Sequence, residues 1–193
     1  MIGILLAAGY SRRFGNSDKL LQALPDGRLI ALASAQNLIE AMPTSIAVVR
    51  AENTQLAELL LTTGFNVVAC EEDKQEMADS LSTAIRFSFN FEAAKEGFVI
   101  ALADMPYIQS ATISTVAKQL TNSTNQSIVI PTYKDQRGHP VGFAAKHRSD
   151  LEKLHGDEGA RSIIKRYPDE VCMLPCEDAG ILADIDTQAD IKR

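Results

Sequence analysis

The stretch Leu6-Ala7-Ala8-Gly9-Tyr10-Ser11-Arg12-Arg13-Phe14-Gly15-Asn16-Ser17-Asp18-Lys19 holds the densest set of residues able to handle an anion. Its small residues let the backbone approach a ligand, and three cations follow within a few positions. Successive backbone N–H groups in such a turn form an anion-binding concavity, where Arg13 and Lys19 can neutralise oxygens. On residue types alone, a solvated basic loop is an equal alternative. The loop is not a Walker A motif, since Gly9 and Gly15 are six apart and no Gly-Lys-Ser/Thr follows. Nor is it Gly-x-Gly-x-x-Gly, so a dinucleotide site loses its main support.

Carboxylates form the second group. Asp104 ends the apolar run Val99-Ile100-Ala101-Leu102-Ala103, and Asp186 follows another short apolar segment, Gly180 to Ala183, with Asp184 as its close competitor. Magnesium takes one or two protein carboxylates and leaves its other positions to water and phosphate oxygens. A turn or capping aspartate is the plain alternative at each position. His139, between Gly138 and Pro140, is the one histidine in a distinctive setting; His147 and His155 are flanked by charge and are expected to be solvated. Ser11 has no histidine partner that marks a nucleophile, so covalent catalysis is not expected. Cys172-x3-Cys176 has the spacing of half a metal site, but no second pair or nearby histidine completes it, so no metal is expected there.

The elements that must position these residues follow a strand–helix rhythm. Strands are expected at residues 2–7, 45–49, 65–69, 97–103 and 128–131. Helices are expected at about 29–41, from the Asn53 cap to 63, at 77–89 and at about 110–120. Such repetition implies a parallel sheet covered on both faces by helices, with ligands at the carboxyl ends of the strands. After Pro131 the rhythm breaks. Residues 133–138 are polar and turn-rich, and 141–145 alternate weakly, which predicts an irregular or antiparallel insertion. Asp157 can cap a helix through Arg166, residues 171–174 can form a late strand, and Thr187-x-x-Asp190 has the form of a capping box. No repeat or long linker divides the chain, so one domain over residues 1–193 is expected.

Composition narrows the function classes. The 193 residues carry 25 acids against 19 bases, net −6, which argues against general nucleic-acid binding. No apolar run reaches the ~18 residues of a membrane span, and the N-terminus lacks the basic flank of a signal peptide. Three cysteines, sparse and odd in number, suit a reducing cytoplasm.

Taken in order, several motifs resemble the MobA-like NTP transferases, the nucleotidyltransferase family that includes the molybdenum cofactor cytidylyl- and guanylyltransferases. Leu6-Ala7-Ala8-Gly9-x-Ser11-x-Arg13-x-Gly15 with Lys19 resembles the N-terminal signature, and Leu102-Ala103-Asp104-Met105-Pro106 the metal-binding strand end. Arg137-Gly138-His139-Pro140-Val141 and Gly156-Asp157-x-Gly159-Ala160-Arg161 resemble the acceptor-side half, and Asp184-Ile185-Asp186-Thr187 the terminal motif. The sequence departs from the pattern at four places. Three residues rather than two separate Gly15 from Lys19, Phe14 replaces Met, Gln188 replaces Pro, and a Gly is missing before Ser80.

The resemblance implies a Rossmann-like three-layer α/β domain of the nucleotide-diphospho-sugar transferase type, with a mostly parallel sheet. It implies transfer of CMP from CTP to the terminal phosphate of a molybdopterin-type cofactor, releasing pyrophosphate. Arg13, Lys19 and Asp104 are the implied catalytic residues. Leu6, Ala7, Ala8, Gly9, Arg12, Gly15 and Ser80 are implied to bind nucleotide, His139 and Pro140 the acceptor, and Asp104 with Asp186 a magnesium ion. A phosphate acceptor is already ionised near neutral pH, so His139 is expected to position it rather than remove a proton. Guanylyltransferase relatives carry Gly where Ala8 stands, which favours CTP over GTP. The alternatives are a guanylyltransferase using GTP, and a carrier or oxidoreductase on the same scaffold that has lost transfer. Partners implied are the nucleotide, the cofactor and molybdoenzyme apoproteins, with no nucleic acid and no membrane.

Overall fold

The computed structural model describes residues 1–9, 14, 18–70, 76–156 and 159–192. Its eight strands are β1 (Ile2–Ala7), β2 (Ser45–Arg50), β3 (Asn66–Cys70), β4 (Phe98–Leu102), β5 (Ile128–Tyr133), β6 (Gln136–Arg137), β7 (Val141–Phe143) and β8 (Val171–Pro175). They form one sheet in the order β3-β2-β1-β4-β7-β5-β6, with β8 on the other side of β5. The first four strands are mutually parallel, as are β5 and β8. Strand β7 runs antiparallel between β4 and β5, so the break in rhythm after Pro131 is an antiparallel insertion into the sheet. A two-residue turn at Lys134 and Asp135, both at positive φ (48° and 62°), folds β6 back on β5.

Alternation along the strands builds two cores. Leu5, Ala7, Ala47, Val49, Val99 and Ala101 face one side, where they meet α1 (Ile30–Ala41), α2 (Thr54–Thr62) and α4 (Ser110–Asn122). Ile2, Ile4, Ile46, Val48, Phe98 and Ile100 face the other, against α3 (Met77–Phe87), α5 (Arg148–Glu152) and α6 (Arg161–Arg166). The strands are apolar on both faces because both are covered, the expected signature of a parallel sheet between helical layers. The result is the mixed α/β three-layer fold. No helix among the described residues is long and apolar enough to cross a membrane.

Three details depart from expectation. Residues 179–182 form a 3-10 turn rather than a strand, so Asp186 does not lie at a strand end. The Thr187–Asp190 box is half formed: the Asp190 carboxylate accepts the Thr187 N–H (2.8 Å) and its hydroxyl (2.8 Å), with only a 3-10 turn following. Asp157 lies outside the described residues, and the helix it was expected to cap begins at Arg161.

Candidate active site

Strand β1 has β2 on one side and β4 on the other, so the chain reverses its direction of sheet growth here. This is the place where α/β sheets bind ligands. The C-terminal ends of β1 and β4 are locked in register, Leu6 opposite Leu102, and the Ala103 N–H donates to the Leu6 carbonyl (3.1 Å). The Ala7-Ala8-Gly9 turn and Asp104 therefore leave the sheet side by side. Helix α1 steadies the second of these segments. The Ser34 hydroxyl donates to the Ala103 carbonyl (2.9 Å), and the Asn37 amide donates to that of Pro106 (3.0 Å).

Lys19 is presented by a short 3-10 turn, Lys19–Leu21, whose cap is Asp18. One Asp18 oxygen accepts the Leu20 N–H (3.0 Å), and the other accepts from Asn53 (2.5 Å) and pairs with Arg50 (3.4 Å). Asn53 also caps α2 by accepting the Leu56 N–H (3.3 Å), as its position in the sequence predicts. This clamp directs the Lys19 side chain inward, where the residue is only 8% exposed. Its ammonium lies 2.7 Å from an Asp104 oxygen and 3.7 Å from an Asp186 oxygen. Two carboxylates from distant parts of the chain thus face one positive charge.

The segment carrying Asp186 is held from both ends. Asp178 is buried; one of its oxygens accepts the Gln109 N–H (2.9 Å) and the Thr112 hydroxyl (2.7 Å), and the other accepts the Gly180 N–H (2.9 Å). Gly180 lies so close to the Tyr107 backbone that a Cβ has no room. Farther along, the Ile185 N–H donates to the Asp104 carbonyl (2.9 Å) and the Asp186 N–H to Asp190 (3.2 Å). Asp18, Asp178 and Asp190 hold the site without reacting, and residue types alone did not single them out. Only the last had a sequence signal, its three-residue spacing from Thr187.

A cleft of about 710 Å³ runs from these carboxylates across the sheet edge. Its apolar wall includes Leu6, Ile100, Leu102 and Val141, and Arg137, Arg161 and Lys165 line it together with Asp104, Asp184 and Asp186. His139 lines the same cleft. Burial holds its pKa below the ordinary value; the Asp104 and Asp184 carboxylates oppose that shift and Arg161 adds to it. Its ring Nδ1 is enclosed, with no hydrogen-bond partner among the described residues. The backbone presents it through close packing: the His139 N–H donates to the Ile181 carbonyl (3.0 Å), and a Cβ on Gly138 would sit 2.7–2.8 Å from Ile181 side-chain carbons.

Of the residues singled out by sequence, Lys19, Asp104 and Asp186 converge, and Leu6 and His139 line the same cleft. Ala7 and Ala8 are buried at the end of β1, Gly9 is exposed beyond them, and Pro140 is buried after a cis peptide bond. Ser80 is 3% exposed on α3, bonded to the Glu76 carbonyl (3.2 Å) and accepting from Cys70 (3.4 Å); its neighbours Met77 and Leu81 line the cleft instead. Arg12, Arg13 and Gly15 lie outside the described residues. Asp184 is exposed and lines the cleft beside Asp186.

His147 corrects the expectation of a solvated side chain. It is 2% exposed, its Nε2 is 2.7 Å from the Ser127 hydroxyl, and Ser127 in turn donates to Glu170. This cluster holds the opposite end of the sheet together. Among the described residues no three His, Cys, Asp or Glu side chains gather into a metal cage. Two carboxylates on one cation are instead the donor set a magnesium-type ion uses when phosphate oxygens complete its shell.

Residues 3–171 match the MobA-like NTP transferase domain. The chain is 26% identical to the purine catabolism protein PucB of Bacillus subtilis, covering 97% of this chain and 92% of that protein. It is 25% identical to nicotine blue oxidoreductase of Paenarthrobacter nicotinovorans, over 99% and 94% of the two chains. The crystal structure of Rv0371c from Mycobacterium tuberculosis superposes with a TM-score of 0.81 at 25% identity, covering 100% of this chain and 96% of that one. Rv0371c has also been solved in complex with manganese, with a TM-score of 0.78 at 24% identity, covering 100% and 96%. The match over most of its length, together with the sheet reversal that carries its first and second motifs, makes this chain a member of the MobA-like NTP transferase family.

Proposed function

We propose that this protein transfers a nucleotidyl group, CMP from CTP, to the terminal phosphate of a molybdopterin-type cofactor and releases pyrophosphate. The observation that carries the reading is the meeting of Lys19, Asp104 and Asp186 at the sheet reversal, where the two carboxylates line a cleft that Arg137, Arg161 and Lys165 also line. The preference for CTP rests on Ala8, and the nature of the acceptor on the Arg137–Val141 and Gly156–Arg161 motifs.

The residues have separate tasks. Backbone N–H groups of the Ala7–Gly9 turn, Arg12, Arg13, Gly15 and Lys19 bind the triphosphate, with Ser80 supporting the segment near base and ribose. Asp104 and Asp186 hold a divalent cation, in keeping with the manganese complex of the similar Rv0371c. An ion held there by Asp104 and Asp186 would supply fixed positive charge to offset the negative charge of the departing pyrophosphate. The acceptor phosphate attacks the α-phosphorus in line, with Arg137, Arg161 and Lys165 of the cleft lining available to offset its charge. His139 remains neutral near pH 7 because burial lowers its pKa, so it donates a hydrogen bond to the acceptor and takes no proton from it. Catalysis is then mainly positioning and fixed charge.

The reading treats residues 1–193 as one functional domain, nucleotide at its N-terminal half and acceptor at its C-terminal half. Three free cysteines fit a reducing cytoplasm, where molybdoenzyme apoproteins are the consumers of the product. The test is incubation with each nucleoside triphosphate, magnesium and molybdopterin, with the product identified by mass. A CMP adduct and stoichiometric pyrophosphate are expected. A GMP adduct instead moves the protein to the guanylyltransferases, and no pyrophosphate with any triphosphate overturns transfer. The relative named as an oxidoreductase supports one further reading, redox chemistry on this scaffold, and nicotinamide-cofactor oxidation without pyrophosphate release is its signature.

A further inference from the structure

Lys19 occupies the space between the two carboxylates assigned to the metal. Its ammonium is 2.7 Å from Asp104 and 3.7 Å from Asp186, on a residue only 8% exposed. A divalent ion held by the same two carboxylates would lie within a few ångströms of the ammonium, and two cations that close in a partly dry site repel strongly. The turn that presents Lys19 is fixed by Asp18, Arg50 and Asn53, whereas the four-carbon stem beyond it is rotatable. The side chain can therefore swing away while its backbone stays in place.

We infer that Lys19 is a built-in stand-in for the divalent cation, and that loading the site is an exchange in which Lys19 leaves Asp104 and Asp186 and moves to the incoming triphosphate. The inference rests on the proposed metal pair and adds its regulation. Without nucleotide, a divalent ion must displace the ammonium from its contacts with Asp104 and Asp186, so the free protein binds the ion weakly. With the triphosphate present, the lysine gains oxygens as the carboxylates gain the metal. Nucleotide and metal thus strengthen each other's binding, as linkage requires. In the free state the same contact neutralises one of two facing carboxylates and keeps the site assembled.

Manganese binding without nucleotide, followed by electron paramagnetic resonance, tests the exchange. Wild type is expected to bind weakly and Lys19→Met at least tenfold more tightly, with Lys19→Gln as a second neutral variant should the first fail to fold. Lys19→Arg keeps the charge and is expected to stay within about threefold of wild type. Lys165→Met removes a cation from the same cleft but not from between the carboxylates, and is expected to do the same. Adding Asp104→Asn to Lys19→Met is expected to abolish the gain. Equal, measurable affinity in wild type and Lys19→Met overturns the exchange and leaves the metal pair standing. An equal gain from Lys165→Met reduces the effect to net charge and also overturns it. No manganese binding in any variant overturns the metal pair and the exchange together.

Discussion

Removing one charge from the pair of carboxylates that face Lys19 tests the site at its smallest scale. Asp104→Asn keeps the shape but loses a full negative charge, and transfer is expected to slow by roughly a hundredfold or more, the scale seen when a preorganised charge-stabilising group is removed. Pyrophosphate release measures this, and near-wild-type rates exclude Asp104 from the metal shell. Asp184→Asn is expected to cost less than about tenfold, because its carboxylate is exposed and screened by water and salt. The types and order of Lys19, Asp104 and Asp186 made them legible in the sequence. The resemblance already implied that Asp104 and Asp186 share one ion; how the chain brings them together was not legible, since it depends on a 3-10 turn and on Asp178, which accepts from Gln109, Thr112 and Gly180. His147 misled for the same reason: its sequence neighbours are charged, but its partners, Ser127 and Glu170, are remote in sequence.

Two elements carry consequences that their own sequences only partly announce. The β6–β7 return places Gly138 against Ile181, and Gly138→Ala forces a methyl into that contact. A loss of about 1–3 kcal/mol in urea denaturation is expected, as for other overpacked sites. Activity should fall with it, because both His139 and the Asp184–Asp186 segment depend on the contact. Unchanged stability would show that the segment yields freely. At the opposite sheet end, burial lowers the His147 pKa, opposed by Glu170 and aided by Lys146. As pH falls through about 6.5, the unfolded chain takes up a proton before the folded one does. The stability from neutral His147 is therefore full above that pH and is lost below it. The urea midpoint is expected to be lower at pH 5.5 than at pH 7.5, and less pH-dependent in His147→Gln. A midpoint independent of pH contradicts the assignment. The apolar runs and the Asn53 cap announced most strands and helices, and the weak alternation of residues 141–145 allowed an irregular or antiparallel insertion, but its place between β4 and β5 depends on pairing partners remote in sequence.

The whole molecule is acidic, net −6, yet Arg137, Arg161 and Lys165 line its cleft and Lys19 contacts Asp104 there, so the proposed binding of a triphosphate is a local property of the sheet edge. Because the cleft draws on segments from both ends of the chain, ligand occupancy should stabilise the molecule as a unit. At 100 times Kd, CTP with magnesium is expected to add about 2.7 kcal/mol and raise Tm by roughly 5–10 °C, with magnesium alone giving far less. Thermal denaturation checks both halves of that expectation, and an equal rise from magnesium alone contradicts it. The inserted strand also bears on how the chain reaches this state. Strand β5 is synthesised before β7, yet the place beside β4 belongs to β7. A growing or refolding chain that extends its parallel rhythm by laying β5 directly on β4 closes the slot and must reopen it. Non-local pairing of this kind slows folding, so insertion of β7 is expected to be rate-limiting. Val141→Ala in β7 is therefore expected to slow refolding, while Val67→Ala in β3 acts mainly by speeding unfolding. Stopped-flow chevron plots of the two variants separate these outcomes.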